Sequence, residues 1–302
     1  MIVAAVDAQT LVDAVGLGAV YALMAVGIGL VFGVLRLVNF AYGQLVMAGA
    51  YTLAFTSDWP IAGSILACFA VVIALSLAME RTVFRPLRTQ SPAVMLVTTF
   101  AVAFLLQSVA LILDIRDGTI GEPATSIASL NQAIAIGGVD VRKVTILAIV
   151  VAVVTLALLA LLLAKTTIGL QMRAASTDFR TARLLGVRAD RVIGAAVLLS
   201  GVLAATVAVI LTVQNPLVAP DFALKETIVV LVGVVVGGID RLWTATLGGF
   251  AIGFATGVIN GALPTDKTVF LPSAVFALVI LVLVLRPAGL FARTRTTVAD
   301  RV

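Results

Sequence analysis

Histidine is absent from this chain, and cysteine occurs once, at Cys68. There is therefore no disulfide framework, and no His or Cys cluster to hold zinc, haem or an iron–sulfur centre. No metal or other cofactor is expected, and Cys68 is expected to be a small buried hydrophobe. Charge is scarce as well: 12% of the 302 residues are Asp, Glu, Lys or Arg, and 62% are hydrophobic. A soluble domain carries about 25% charged residues, so this chain cannot cover a water-facing surface and lipid is the alternative solvent. No G-x-x-x-x-G-K-[ST] stretch is present to cradle ATP, no histidine can act as a general base, and no pair of carboxylates falls inside an uncharged run. These gaps argue against an intramembrane enzyme. They also argue against a proton-driven carrier, which relays protons through Asp, Glu or His. The net charge of +5 would hint at nucleic acid in a soluble protein. Here the position of the charges matters more, and no nucleic-acid partner is expected.

What is present is a series of long stretches without ionisable side chains. Charge is costly at mid-bilayer, so such stretches mark candidate crossings. Eight qualify: Asp13 to Arg36 encloses 22 residues, Arg36 to Asp58 and Asp58 to Glu80 enclose 21 each, and Arg88 to Asp114 encloses 25. Lys143 to Lys165, Arg191 to Asp221, Arg241 to Asp266 and Lys267 to Arg286 enclose 21, 29, 24 and 18. A helix needs about 20 residues to cross the hydrocarbon core. A ninth stretch, residues 227–239, has 13 residues and contains Gly233, Gly237 and Gly238. It either crosses as a short central helix or enters as a broken one, and both forms require protein around them. The expected fold is all-α, a polytopic helical membrane bundle of about eight to nine transmembrane helices in a single domain, residues 1–302. With the N-terminus outside and nine crossings, 15 basic residues fall inside and five outside, as the positive-inside rule requires. The orientation expected is N-out and C-in. Residues 1–13 contain no Lys or Arg and the first run exceeds a secretory signal core, so it is read as a helix of the bundle.

Two segments between the runs stand out. Residues 114–143 form the longest external loop, either a docking lip for an external partner or a plain connection. Residues 166–190, on the inner side, are polar and basic, with a helix expected from about Ala174 to Leu185. Gly186 suits a helix C-terminal cap, and Asp190 suits the cap of the following helix. The segment is either a basic loop near anionic lipid or a short helix available to a cytoplasmic partner. Gly249, Gly253, Gly257 and Gly261 recur every fourth residue, a small-residue stripe for close helix packing, along which helices could also slide. Among the amides in the runs, Asn39, Gln44 and Gln107 are candidates either for bonds between helices or for contact with a polar solute.

Three stretches carry a family resemblance. Gly18-Ala-Val-Tyr21, followed by Val38-Asn39-Phe40-Ala41-Tyr42-Gly43-Gln44 and Met47-Ala-Gly49-Ala-Tyr51, resembles the N-terminal signature of branched-chain amino acid ABC permeases of the LivH type. Gly169-Leu-Gln171-Met-Arg173-Ala174-Ala175, Asp178 and Ala182-Arg-Leu184-Leu185-Gly186 are similar to that family's cytoplasmic coupling loop, and Arg286-Pro287-Ala288-Gly289-Leu290-Phe291 to its C-terminal tag. The family commonly has His after Asn-Phe-Ala, where this chain has Tyr42. The resemblance implies an importer subunit in the cytoplasmic (inner) membrane. Its partners would be a second, LivM-like permease, two cytoplasmic ATPases that hydrolyse ATP in its place, and an extracytoplasmic substrate-binding protein. Gln171, Arg173, Ala174, Ala175, Asp178, Leu184, Leu185 and Gly186 would couple to an ATPase, and Asn39, Gln44 and Gln107 would line the path. Branched-chain amino acids are the default substrate, with urea, short amides or other amino acids as alternatives. A self-sufficient carrier or channel is the competing class.

Overall fold

The computed structural model describes residues 7–87, 90–117, 121–128, 131–136, 139–238 and 241–286. Bilayer lipid offers no hydrogen bonds, so a chain this apolar closes its backbone within helices. Helix α1 spans Ala8–Leu35 and α2 Tyr42–Phe55. Helix α3, Ile61–Met79, runs on through a π turn at Glu80–Phe84 and a last turn at Arg85–Leu87. Helix α4 is Pro92–Asp117 and α5 Lys143–Lys165. Two short helices follow, α6 at Thr167–Thr177 and α7 at Phe179–Leu184. The remaining helices are α8 (Ala189–Gln214), α9 (Leu224–Gly237), α10 (Leu242–Ala262) and α11 (Leu271–Leu285).

Among the described residues, seven helices are long and apolar enough to cross a membrane. The most apolar windows of α1 and α8 are 83% and 78% buried, against 11–33% for the other five. Those two form the centre, and the rest present leucine, valine and phenylalanine outward, as lipid contact demands.

The run between Arg36 and Asp58 departs from expectation. It holds a helix of 14 residues, not a full crossing. Residues 36–41 are spent on a turn in which the Asn39 side-chain oxygen accepts from Ala41 N–H at 3.1 Å. The helix that follows is buried along most of its length, so it never has to match the lipid thickness. Helix α9 is its counterpart. It too has 14 residues, about 21 Å at 1.5 Å per residue, and is continuous rather than broken. It begins at Leu224, three residues before the uncharged stretch, and so draws Lys225 and Glu226 into the helix. Gly238 closes it with φ 101°; Ile239 and Asp240 lie outside the described residues, as do Arg88, the 287–291 tag and the arginines at 293, 295 and 301.

Helix α1 packs most extensively on α10, along the glycine stripe. A Cβ at Gly253 would lie 2.8 Å from Gly18 Cα, and one at Gly257 2.5 Å from Ala14 Cα. At Gly249 and Gly261 it would meet Ala25 and Thr10. Without a hydrophobic drive between helices in lipid, such backbone proximity and its dispersion contacts hold the pair together. Cys68 is buried in the α3–α8 interface, within reach of the Ala205 carbonyl.

At the end of the bundle bearing residues 114–143, Asp114 lies inside α4 and is buried. The loop carries strand β1 (Glu122–Pro123), a helical turn at Thr125–Ala128, and the hairpin β2 (Ala133–Ile136) with β3 (Val139–Arg142). Strand β1 pairs antiparallel with β4 (Leu217–Val218), beyond α8. At the opposite end, Arg85 meets Asp190 at 3.5 Å, a half-exposed pair worth about 0–1 kcal/mol.

Gly253→Leu is expected to destabilise the detergent-solubilised chain by about 1–3 kcal/mol or more through overpacking, whereas Gly194→Ala, where a Cβ meets nothing within 4 Å, is expected to be neutral. Thermal unfolding of both variants measures this; equal midpoints would remove the stripe from the packing account.

Candidate functional site

A cavity of about 370 Å³ opens between α2, α4 and α9. Three sequence-designated amides meet there: Asn39 in the turn before α2, Gln44 in the first turn of α2, and Gln107 on α4. Its walls follow helical periodicity. Phe100, Ala103, Phe104 and Gln107 form one face of α4, and Leu224, Thr227, Ile228 and Leu231 one face of α9, both at the i, i+3, i+4, i+7 spacing. Phe40 stacks on Phe100 with ring centroids 4.2 Å apart.

The polar groups are sparse and neutral. Asn39 is fixed by its own turn. Gln44 is 1% exposed and its side-chain oxygen has no hydrogen-bond partner, an acceptor whose isolation costs about 1–3 kcal/mol. The Thr227 hydroxyl donates to Ala223 O at 2.7 Å. Among the described residues, no ionisable group lines the cavity. Its chemistry is that of apolar walls with a few neutral amides.

Tyr42, the residue that departs from the pattern the sequence resembles, is not part of this lining. It is fully buried against Gly27 of α1, so the departure from the family pattern affects helix packing and not the cavity wall.

The 166–190 segment departs from the single helix expected at Ala174–Leu185. It breaks at Asp178, whose backbone is extended at φ −149°, ψ 103°. The Asp178 carboxylate accepts from the N–H and hydroxyl of Thr181 and so starts α7. Gln171, Arg173, Ala174 and Ala175 lie on α6, and Leu184 ends α7. Gly186 adopts φ 88°, and the Gly186 and Val187 N–H groups donate to Arg183 O and Ala182 O. This is a Schellman closure, which favours glycine. Asp190 is not the cap of α8. The cap position is Arg188, and Asp190 stands in the first turn, where its charge suits the helix dipole.

Leu184 and Leu185 are 82% and 81% exposed, a bare apolar knob at the polar end of the bundle. Ala175 is buried, whereas Arg173 and Ala174 face out. The segment is not loose. Thr166 caps α6 by accepting from Gly169 N–H at 3.1 Å, and Arg36 donates a guanidinium hydrogen bond to Ser176 O in the last turn of α6. Arg36 holds φ 55°, a left-handed closure of α1, and only two residues separate it from Asn39. Arg36 was not singled out from the sequence. A lone arginine between two apolar runs was the available signal.

Toward the 114–143 loop, the Tyr51 hydroxyl hydrogen is shared between the two oxygens of buried Asp114, each 2.9 Å from Oη, and Gly121 N–H donates to Oδ2 at 3.2 Å. This triad ties α2 and the 114–143 loop to α4. Its acidic member lies at the very border of an uncharged run, which is why run counting passed over it.

A family model described as branched-chain amino acid transport system, permease component, matches residues 10–285. The high-affinity branched-chain amino acid transport permease BraD of Pseudomonas aeruginosa is 29% identical, over 94% of this chain and 95% of its own. LivH, the similarly named permease of Salmonella typhimurium and of Escherichia coli, is 27% identical over the same shares. No solved structure matches.

Tyr51→Phe removes the one hydroxyl donor shared by both oxygens of a buried carboxylate and is expected to cost about 1.5–3 kcal/mol. Thermal unfolding in detergent measures it, and an unchanged midpoint would show that Asp114 does not depend on Tyr51.

Proposed function

The chain belongs to the branched-chain amino acid transport permease family and is a multi-pass membrane protein, and on that premise we propose that it is the channel-forming subunit of an ATP-binding-cassette importer in the cytoplasmic membrane. It is a transport permease and not an enzyme. Hydrolysis of ATP belongs to two cytoplasmic ATPase subunits, solute capture to an extracytoplasmic binding protein, and the other half of the pathway to a second, LivM-like permease. Branched-chain amino acids are the substrates, the class that the relatives' names give. The N-terminus faces outward and the C-terminus inward, which leaves residues 166–190 on the cytoplasmic side and 114–143 toward the binding protein.

The observation that carries this reading is a line of contacts from the inner face to the cavity. Exposed Leu184 and Leu185 offer an apolar knob to a groove on an ATPase, with Gln171, Arg173, Ala174, Ala175, Asp178 and Gly186 shaping the surface around it. Closure of the ATPase pair pushes α6 and α7. The Arg36 bond to Ser176 O passes the displacement into the turn that carries Asn39 and Phe40, two lining residues of the cavity. Asn39, Gln44 and Gln107 then meet the solute in passing, and an external protein supplies selectivity.

Gly186→Pro cannot adopt φ 88° and also removes the N–H bonded to Arg183 O. That variant, and Arg173→Glu, are expected to lower ATP-driven leucine uptake by the assembled transporter at least tenfold while the subunits still assemble. Normal uptake in both would refute the coupling role. Flux through liposomes containing this chain alone would refute the dependence on ATPase partners, and a ligand screen on the partner binding protein tests the substrate class.

A further inference from the structure

A second cavity, of about 230 Å³, lies on the other side of α9 and is bounded by α1, α10 and α11. Ile228 borders both cavities, so one helix separates them. The chemistry of the second is different. Tyr21, Lys225, Glu226 and Thr256 line it together with Val229, Leu271, Val275 and Phe276. One carboxylate oxygen of Glu226 is inaccessible to solvent and has no hydrogen-bond partner. Its basic neighbour Lys225 points outward and leans instead on Asp221 at 3.9 Å, with its side chain 79% exposed. A carboxyl oxygen held away from water without a partner is expensive, and an acidic side chain in a membrane helix marks a binding function.

We propose that this cavity is a solute subsite, distinct from the amide-lined one, that takes an apolar α-amino acid by its ammonium group. Glu226 accepts from the ammonium, a charge-assisted bond stronger than a neutral one. Lys225, released from its long pair with Asp221, faces the solute carboxylate. Val229, Leu271, Val275 and Phe276 pack on the side chain. The neutral cavity offers neither charge, so recognition of the zwitterion falls to the α9–α11 side. This rests on the importer reading for its choice of solute, while the geometry requires only an ammonium-bearing apolar ligand.

The test is saturation-transfer NMR on the full-length chain with its partner subunits, in nanodiscs without nucleotide. The probes are L-leucine, 3-methylbutylamine (leucine without its carboxylate) and 4-methylpentanoate (leucine without its ammonium). Leucine and the amine are expected to bind about tenfold or more tightly than the acid. Glu226→Gln is expected to abolish that preference, and Glu226→Asp to retain it within about threefold. Equal binding of the three probes by the unaltered chain, or an unchanged preference in Glu226→Gln, overturns the proposal and leaves an apolar crevice. Because no ATP is used, the two readings fail separately. Lost preference with intact uptake sinks only the subsite, and lost uptake with intact preference sinks only the importer.

Discussion

The structure depends on one constraint: at membrane depth every backbone N–H and C=O must be satisfied by the protein itself. Two helices of 14 residues, α2 and α9, are too short to reach across lipid, and the turn at residues 36–41 is not helical at all. They are tolerated because α1 and α8 occupy the centre and longer, lipid-facing helices surround them. The cavity forms where this caged, interrupted backbone lies. A bundle made only of full-length helices would close over its centre, whereas two short helices leave room between them. The glycine stripe serves the same end, since it brings α10 against α1 with no side chain between and fixes the frame around the short elements.

Much of this was legible in the residues. Gaps between charges found the long helices, because a charge at mid-bilayer is penalised wherever it falls. The glycine positions announced close packing, and Gly186 announced the left-handed closure after Leu185. The short α2 was hidden, because lipid-exposed and protein-buried apolar residues look alike when only charge is counted. The break at Asp178 was hidden for a related reason. An aspartate within a polar helix reads as surface until its bond to the Thr181 N–H shows it capping a new helix.

The candidate site was partly legible. Asn39, Gln44 and Gln107 are far apart in sequence, and only the folded chain shows that they face one cavity. The aromatic wall was recoverable in part, since Phe100, Phe104 and Gln107 share a helical face. Glu226 could not be found by run counting, because the uncharged stretch starts at Thr227 while the helix starts three residues earlier. The polar end of a helix is set by caged packing here, not by where charge stops. The family came from motif order, to which the Arg36 bond to Ser176 O adds a physical link between the 166–190 segment and the turn that lines the cavity.

The stacked rings of Phe40 and Phe100, and a larger cavity with no ionisable group among the described residues, have a consequence for the cell's energy supply. A hydrated sodium ion or a hydronium entering that space would shed water against aromatic and aliphatic walls, with only neutral amides in exchange. Such a lining dewets and blocks ionic current. In a transporter that opened alternately to both sides of an energised membrane, such a lining would keep this cavity from discharging the proton gradient.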